Sequence, residues 1–246
     1  MDSVSRFTDR AADYVKYRPT YPAAAMDAIL DGLGSPGEIV AADVGAGTGI
    51  SARLLGDRGV RVLAVEPGEA MRSAAAPHAN VTWTIGTAEA TGLASASVDL
   101  VLCAQAFHWF RAPEALAELA RILKPHRRLA IMWNRRSKID PLTAGYRQVI
   151  VDVGGDIAVE SMPFDPAVVP NSGLFSSAQR LTFSNAQRLD LDGLVGRARS
   201  ASYVPTTGAG GGRLIDLLTA LHAAHADADG FVRLIYETEI YLAAKL

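Results

Sequence analysis

Short apolar runs alternate with helix-forming segments through the first 134 residues of the chain. Five of these runs have the length and composition of strands that are buried within a sheet. They cover residues 39–44, 60–65, 81–85, 97–103 and 129–133. Helices are predicted before and between these strands, at residues 23–33, 50–56, 69–76 and 113–123. This alternation is typical of βαβ units with right-handed crossovers, and it predicts a parallel sheet covered by helices.

The pattern changes after Asn134. Residues 135–178 contain four prolines and no clear alternation, so we expect a helical insertion with loops. A sixth strand is predicted at residues 179–189. Beyond it the sequence predicts two helices, a flexible glycine-rich loop between them and a long alternating final strand. The helices are expected at 192–202 and 214–226, the loop at 207–212 and the strand at 231–242.

Three glycines spaced two apart follow the first predicted strand. Gly45, Gly47 and Gly49 indicate a tight turn where the backbone passes close to a ligand. Glu66 ends the second predicted strand, 21 residues after Gly45. A glycine loop at the tip of one strand and an acid at the tip of the next form the adenosine-binding half of a doubly wound sheet. A structural glycine turn beside a surface acid is the alternative interpretation.

The spacing of the glycines bears on which adenosine ligand fits. A dinucleotide fingerprint would place the third glycine at position 50, which is Ile50 here. No Lys or Arg stands between Asp43 and Ile50 to meet a phosphate. S-adenosylmethionine (SAM), which combines adenosine with a sulfonium cation and an amino-acid tail, therefore fits better. Glu66 would accept hydrogen bonds from both ribose hydroxyls. A nucleotide-cofactor oxidoreductase and a non-catalytic SAM-binding protein remain as alternative functions.

Composition and charge limit the kinds of partner and cofactor that we expect this protein to bind. The net charge of −2 lacks the positive excess that would attract nucleic acid or an anionic membrane. No apolar run is long enough to span a bilayer. The single Cys103, expected to be a buried apolar residue, excludes an intramolecular disulfide. The five histidines lack metal-ligand spacing, so no metal is expected. The N-terminus lacks a signal-peptide core, which leaves the cytoplasm as the expected location.

Several motifs agree in order and spacing with the class I SAM-dependent methyltransferases, which the chain resembles. They are Asp43–Gly49, Glu66–Pro67, Gly86–Glu89, Ser97–Asp99 and Leu123–Pro125. The resemblance implies a Rossmann-like, doubly wound, seven-stranded α/β sheet that is mostly parallel with an antiparallel last strand. An N-terminal helical arm and a helical insertion would accompany it. The implied reaction is transfer of the SAM methyl group, which releases S-adenosylhomocysteine.

Three further segments limit the resemblance to one subgroup of this family. Tyr14–Pro22, Ala104–Phe110 and Arg199–Val204 are similar to a subgroup that includes trans-aconitate methyltransferase-like enzymes. Those enzymes act on small molecules, often at oxygen, so the resemblance implies a small-molecule O or N acceptor such as a carboxylate or a hydroxyl. We expect a monomer or homodimer, and the net charge of −2 predicts that it binds neither nucleic acid nor membrane. The chain departs from the family at residues 124–128, where we expect a surface turn to be affected rather than the site.

We predict one domain spanning residues 1–246. It comprises an N-terminal lid or arm (1–35), a SAM-binding half (36–134), an insertion that acts as a cap (135–178) and C-terminal strands and helices (179–246). The arm and the insertion are expected to cover the cofactor.

The predicted cofactor contacts lie in the arm and in the loops that follow strands. They are Arg18, Asp43, Gly45, Ala46, Gly47, Gly49, Glu66, Pro67, Met71, Thr87, Ala88, Glu89 and Ala104. Met71 is expected against the adenine and Ala88 at its edge, whereas Glu89 could equally cap a helix. Asp43 could hold the glycine loop or meet the methionine amino group. Arg18 could clamp a carboxylate of the methionine tail or of the acceptor.

The predicted acceptor contacts are Tyr14, Phe107, His108, Trp109 and Tyr203. His108 is a candidate general base because histidine titrates near neutral pH, although packing, shielding or substrate contact is the favoured role. Arg197 and Arg199 are further candidates for the acceptor pocket, with an exposed helix face expected for at least one of them.

Overall fold

A seven-stranded sheet forms the centre of the computed structural model, which describes residues 15–155, 164–201 and 203–246. The strand order is β3-β2-β1-β4-β5-β7-β6. The strands are Val40–Val44 (β1), Arg61–Val65 (β2), Val81–Thr84 (β3), Val98–Ala104 (β4), Leu123–Arg136 (β5), Gln179–Leu189 (β6) and Val232–Ala244 (β7). The first five strands are parallel, and β7 runs antiparallel to both β5 and β6. The predicted doubly wound sheet with an antiparallel last strand is confirmed.

Helices cover both faces of this sheet. They are Ala23–Leu30 (α1), Ile50–Gly56 (α2), Glu69–Ser73 (α3), Ala112–Ile122 (α4), Pro141–Asp152 (α5), Val168–Asn171 (α6), Leu191–Arg199 (α7) and Gly208–His225 (α8). Apolar residues of α1 and α2 pack on one face, and those of α4 pack on the other. Helices α5, α7 and α8 enclose a third apolar cluster with the first half of β7. From here on, the cap means these four elements and not the predicted insertion at 135–178. Within the described ranges, no helix is long and apolar enough to cross a membrane.

Strand β4 shows why the sequence forms this sheet. Its residues Val98–Cys103 are all buried, because side chains alternate between two covered faces. Leu100 and Leu102 join the cluster that contains α1 and α2. Val101 and Cys103 join the cluster that contains α4. The continuous apolar run is therefore the signature of a central strand, and Cys103 is buried as expected.

Strand β5 is longer than predicted. The sequence indicated residues 129–133 preceded by a surface turn, whereas the strand already begins at Leu123. The pairing register slips between Val98 and Leu100, so residues 124–127 form a bulge in the strand, with His126 at a φ of 58°. Two basic side chains of this bulge hold the buried Asp99: the Lys124 Nζ lies 2.9 Å from Oδ1, and the Arg127 Nε lies 3.2 Å from it. This ion pairing gives the basic segment a structural role.

The predicted flexible loop at residues 207–212 is wrong, because helix α8 begins at Gly208. Its glycines permit close packing that larger residues would prevent. A Cβ on Gly211 would lie 2.6 Å from the Thr206 carbonyl carbon. Further along the helix, Leu214 and Leu218 are fully buried in the cap. Tertiary burial thus outweighs the low helix propensity of glycine.

The described part of the N-terminal arm is fixed to the sheet and the cap. The Thr20 carbonyl accepts hydrogen bonds from Asn134 Nδ2 at 3.1 Å and from Asn185 Nδ2 at 2.9 Å. The Tyr17 ring lies so close to Gly196 of α7 that a Cβ there would come within 2.3 Å of it. The arm therefore crosses β5 and β6 where these strands approach the cap.

Replacing Asp99 with asparagine should lower the free energy of unfolding by about 1–3 kcal/mol at neutral pH. Burial is the largest single influence and would raise the pKa of Asp99, but the hydrogen bonds from Lys124 and the Val40 amide, together with the charges of Lys124 and Arg127, outweigh it and lower the pKa. The stabilisation is therefore present above the unfolded-state pKa and is lost as the pH falls through the folded-state value. Urea unfolding at pH 7 and at acid pH measures it, and Asp216→Asn, on an exposed position of α8, is the control. Equal unfolding midpoints for the two variants at pH 7 would contradict this role.

Candidate cofactor and acceptor site

The glycine loop leaves β1 through three left-handed backbone positions. The φ angles of Gly45, Gly47 and Gly49 are 73°, 57° and 74°, a region that other residues rarely adopt. The amides of Gly45 and Ala46 both donate to the Val65 carbonyl, at 2.9 and 3.1 Å. These bonds bend the loop toward the end of β2. The φ values and the close approach together explain why glycine stands at these positions.

Glu66 joins the glycine loop to the loop after β2. Its Oε2 accepts a hydrogen bond from the Gly47 amide at 2.9 Å, and its Oε1 accepts one from the Gly68 amide at 2.8 Å. Burial raises the pKa of Glu66, although both amides and nearby Arg72 oppose that rise. Arg72 Nη1 also donates to the Glu66 and Pro67 carbonyls, at 2.6 and 2.8 Å. The acid at the tip of β2 therefore lies against the glycine loop, as the sequence predicted.

Asp43 is fully buried beneath the same loop. Its Oδ2 accepts a hydrogen bond from Ser51 Oγ at 2.7 Å. Among the described residues, no donor forms a hydrogen bond with its Oδ1. Burial raises the pKa of Asp43 to about 7, even though the Ser51 hydrogen bond acts to lower it. A buried carboxylate oxygen with acceptor capacity left is suited to a cationic or hydrogen-donating ligand.

The segments that follow β2 and β3 carry the next predicted cofactor contacts. Met71 is 6% exposed, and Ala88 is 4% exposed, so both present little surface. Thr87 pairs with Ala90 in a short turn in which Thr87 itself is exposed. Glu89 Oε1 accepts a hydrogen bond from the Arg111 amide at 2.9 Å, at the start of α4. Glu89 thus makes the helix-terminus contact that the sequence left open as one of its two roles.

The turn after β4 packs directly on the glycine loop. A Cβ on Gly45 would lie 2.6 Å from the Ala106 Cβ. Ala104 ends β4, and Gln105 follows it at a φ of 57°, an uncommon conformation for a residue other than glycine. The Gln105 amide donates to the Met132 carbonyl at 2.8 Å, which ties this turn to β5. The turn therefore carries the residues that follow it to the edge of the glycine loop.

Phe107, His108 and Trp109 form a short 3-10 turn at that edge. Phe107 is 4% exposed and packs in the core against Phe110 and Phe164, with ring centroids 5.7 and 5.5 Å away. His108 is partly buried, with its ring centroid 4.7 Å from that of Trp109. Its pKa is lowered to about 4, first by burial and then by the charge of Arg135. The imidazole is therefore neutral near pH 7.

Arg18 and Tyr203 lie farther from the glycine loop, beside the cap. Arg18 Nη2 donates to the Ser200 carbonyl at 3.0 Å. The Tyr203 hydroxyl accepts a hydrogen bond from Arg136 Nη1 at 3.3 Å. Arg197 is 4% exposed and Arg199 is partly buried, so the exposed helix face expected for one of them is not found. At the end of α7, Arg197 is instead buried and Arg199 is half-buried.

The structure thus brings the predicted residues together in two groups. The first group lies where β1, β2, β3 and β4 end and in the segments that follow them, and it contains Asp43, Gly45, Ala46, Gly47, Gly49, Glu66, Pro67, Met71, Thr87, Ala88, Glu89, Ala104, Phe107, His108 and Trp109. The second lies beside the cap and contains Arg18 and Tyr203. Tyr14 falls outside the described residues. Within those residues, no group of three or more His, Cys, Asp or Glu side chains is arranged to hold a metal ion.

Several residues that contact or support the candidate site were not predicted from the sequence. Ser51 meets Asp43 from the first turn of α2, eight residues along the chain, and only that spacing could have suggested it. Arg53 Nη1 donates to the Thr48 carbonyl at 2.6 Å and so supports the glycine loop. Arg136 lies in no recognised motif, and the Arg199–Val204 segment gives no sign that Ser200 meets Arg18, because these contacts join distant parts of the chain.

Comparison with known proteins connects this geometry to a family. The model of a methyltransferase domain matches residues 42–131, which contain the glycine loop, Glu66 and the turn after β4. A methyltransferase of Schizosaccharomyces pombe, itself uncharacterised, is 31% identical over 191 residues. That match covers 74% of this chain and 76% of the relative. Against two further relatives, from Schizosaccharomyces pombe and Mycobacterium bovis, the chain spans about half of their length, 54% and 53%.

Solved structures agree with this relationship. A protein of Anaeromyxobacter dehalogenans that is assigned as a methyltransferase superposes with a TM-score of 0.63 at 27% identity, covering 93% of this chain and 97% of that one. The fold is also shared with geranyl diphosphate C-methyltransferase of Streptomyces coelicolor, whose structure contains S-adenosylhomocysteine, at a TM-score of 0.51 and 13% identity. That alignment covers 91% of this chain and 76% of the other. On the strength of the domain match, the fission-yeast relative and the shared fold, the chain belongs to the class I SAM-dependent methyltransferases.

Proposed function

We propose that this protein transfers the methyl group of SAM to an oxygen or nitrogen atom of a small-molecule acceptor. The observation that carries the proposal is the joint position of Glu66 and Asp43. One carboxylate holds the two loops at the tips of β1 and β2, and the other lies buried beneath them with an oxygen still able to accept. These groups suit a ligand that has ribose hydroxyls, a sulfonium cation and the ammonium group of an amino-acid tail but no phosphate.

The residues fit SAM in chemical terms. Glu66 would accept from the ribose hydroxyls, which suits an ionised carboxylate. Met71 and Ala88 offer small apolar surfaces for the adenine. Asp43 would accept a hydrogen bond from the ammonium group of the methionine tail or would hold the glycine loop in place. When bound, SAM supplies an electrophilic methyl carbon on a sulfonium, and the chain's own groups orient the acceptor toward that carbon and exclude water.

The neutral state of His108 argues against its predicted role as a general base. A group with a pKa of about 4 is a weak proton acceptor, so it contributes little as a general base near neutral pH. Its position beside Trp109 instead suits contact with the acceptor or shielding of the reacting atoms. An acceptor that is already nucleophilic needs no base, and in-line positioning then supplies most of the rate.

Glu66→Ala should weaken SAM binding by about tenfold or more, because the ribose loses its acceptor and the Gly47 and Gly68 amides lose theirs. Isothermal titration calorimetry with SAM measures the loss. Glu69→Gln, at an exposed position in the adjacent helix α3, is the matched control and should keep wild-type affinity. If Glu66→Ala binds SAM as tightly as the control does, Glu66 has no role at the ribose.

The affinity for SAM should rise with pH between about 5.5 and 7, by close to tenfold for each unit below the Asp43 pKa. The sign follows because a cationic ligand favours the ionised carboxylate, which protonation removes. Asp43→Asn should abolish this dependence. Ser51→Ala should move it to higher pH, because the Ser51 hydrogen bond lowers the Asp43 pKa. A wild-type affinity that stays constant across this range would exclude Asp43 as the partner of the cation.

The His108 imidazole should not titrate between pH 5 and 8, since burial and Arg135 lower its pKa to about 4. NMR of isotopically labelled histidine measures this, with the signal assigned through His108→Gln. Arg135→Gln should raise the His108 pKa by removing the neighbouring charge. A His108 signal that titrates near its ordinary value in the wild type would restore the general-base role.

A further inference from the structure

Gln105 leaves strand β4 in a backbone conformation that residues other than glycine rarely adopt. Its φ angle is 57°, and among the other non-glycine residues that the structure describes only Ala96 and His126 share this left-handed region. Ala96 and His126 are exposed, whereas Gln105 is partly buried. Because a left-handed backbone costs free energy in a residue that has a side chain, neighbouring groups must hold Gln105 in place.

Two hydrogen bonds connect Gln105 to strand β5. Its main-chain amide donates to the Met132 carbonyl at 2.8 Å, and its side-chain Nε2 donates to the Asn134 carbonyl at 3.3 Å. Main-chain bonds between parallel strands are evenly spaced, so the Asn134 carbonyl would receive the Phe107 amide if β4 continued. The Gln105 side chain therefore replaces a main-chain donor at the point where the chain leaves the sheet.

The residue that accepts this bond is itself fixed from three directions. Asn134 Nδ2 donates to the Thr20 carbonyl of the N-terminal arm at 3.1 Å. Asn134 Oδ1 accepts hydrogen bonds from Asn185 Nδ2 of β6 and from Thr238 Oγ1 of β7. The arm and both neighbouring strands thus hold Asn134, and its carbonyl gives the Gln105 side chain a fixed point of attachment.

The turn that begins at Gln105 carries two aromatic rings to the edge of the glycine loop. A Cβ on Gly45 would lie 2.6 Å from the Ala106 Cβ, and the Ala106 carbonyl accepts from the Trp109 amide at 2.9 Å. The His108 ring lies beside that of Trp109. A rotation of the backbone at Gln105 would therefore move both rings. The cost of a left-handed residue and the gain from one hydrogen bond are similar in size, so the side-chain bond decides which conformation the turn keeps.

We propose that Gln105 is a positioning residue for methyl transfer. Its side-chain amide, bound to the Asn134 carbonyl, fixes the direction in which the chain leaves β4 and so holds His108 and Trp109 where the acceptor meets the methyl group. This inference rests on the proposed function and adds to it a residue that acts through two others. The role requires no contact between Gln105 and either SAM or the acceptor.

Gln105→Met removes the donor but keeps an uncharged side chain of similar length. In wild-type protein saturated with SAM, the S-methyl protons of SAM should show nuclear Overhauser effects to ring protons of His108 or Trp109. These effects should weaken at least about threefold in Gln105→Met, while the affinity for SAM measured by calorimetry stays within about twofold. Gln179→Met, at an exposed position of β6, is the control and should match the wild type.

Hydrogen exchange on protein without ligand tests the turn independently of SAM. The amides of Trp109 and Phe110 donate within the turn, to the carbonyls of Ala106 and Phe107. Both amides should exchange about three- to tenfold faster in Gln105→Met than in the wild type. Unchanged exchange of both amides would overturn the proposal.

Gln105→Glu adds a pH profile that a change in packing alone would not give, and it keeps the proposal testable if Gln105→Met fails to fold. An ionised carboxylate only accepts hydrogen bonds, whereas a protonated carboxyl can donate one to the Asn134 carbonyl. The exchange of the Trp109 amide, taken as a ratio to the wild type at each pH, should be raised at pH 7. The ratio should return toward one as the pH falls through the pKa of the introduced carboxyl. A raised ratio that does not change with pH would contradict the hydrogen bond to Asn134.

The failure of this inference differs from the failure of the proposed function. If the wild type binds SAM but the methyl protons lie near neither ring, or if Gln105→Met keeps the wild-type Overhauser effects, the positioning role is wrong and the proposed function stands. If the wild type does not bind SAM, the proposed function fails and takes the positioning role with it. The exchange measurements then still show whether Gln105 holds the turn.

Discussion

The carboxylate of Glu66 is the contact on which the candidate cofactor site depends. It accepts from Gly47 on one side and from Gly68 on the other, and so it fixes two loops that belong to different strands. The Gly45 and Ala46 amides already hold the start of the glycine loop against Val65, and Glu66 extends this connection to Gly47 and Gly68. The same carboxylate has further lone pairs for a ligand. One side chain therefore shapes the site and, under the proposed function, would also provide a specific polar contact to the ligand.

The sheet makes that arrangement possible. Parallel strands β1, β2 and β4 end at one edge, so the glycine loop, Glu66 and the turn after Ala104 must meet there. The packing leaves no room for a larger residue at Gly45, because a Cβ there would lie 2.6 Å from the Ala106 Cβ. On the opposite edge, Asp99 joins β4 to the bulge of β5 through Lys124 and Arg127. The functional edge carries loops with left-handed glycines, whereas the other edge is held by buried charge.

Sequence alone predicted the parts of the molecule that depend on local spacing. The strands β1 to β4 and the pair formed by the glycine loop and Glu66 follow from short apolar runs and fixed offsets. The basic bulge in β5 could not be predicted this way, because its stability comes from Asp99, 25 residues away from Lys124. Helix α8 was missed at its glycine-rich start because burial in the cap, rather than propensity, decides its conformation. The Arg18–Ser200 contact spans 182 positions in sequence, which no local pattern records.

Burial acts in opposite directions on the charges of two residues in the candidate site. Asp43 is fully buried, and burial raises its pKa to about 7. Burial and the charge of Arg135 lower the pKa of His108 to about 4, so the imidazole is uncharged near neutral pH. Under the proposed function, a cationic methyl donor would favour the ionised form of Asp43, and its binding would stabilise the buried charge that attracts it. A neutral His108 would leave the rate to depend on how the acceptor is positioned rather than on proton transfer, and positioning is what in-line transfer requires.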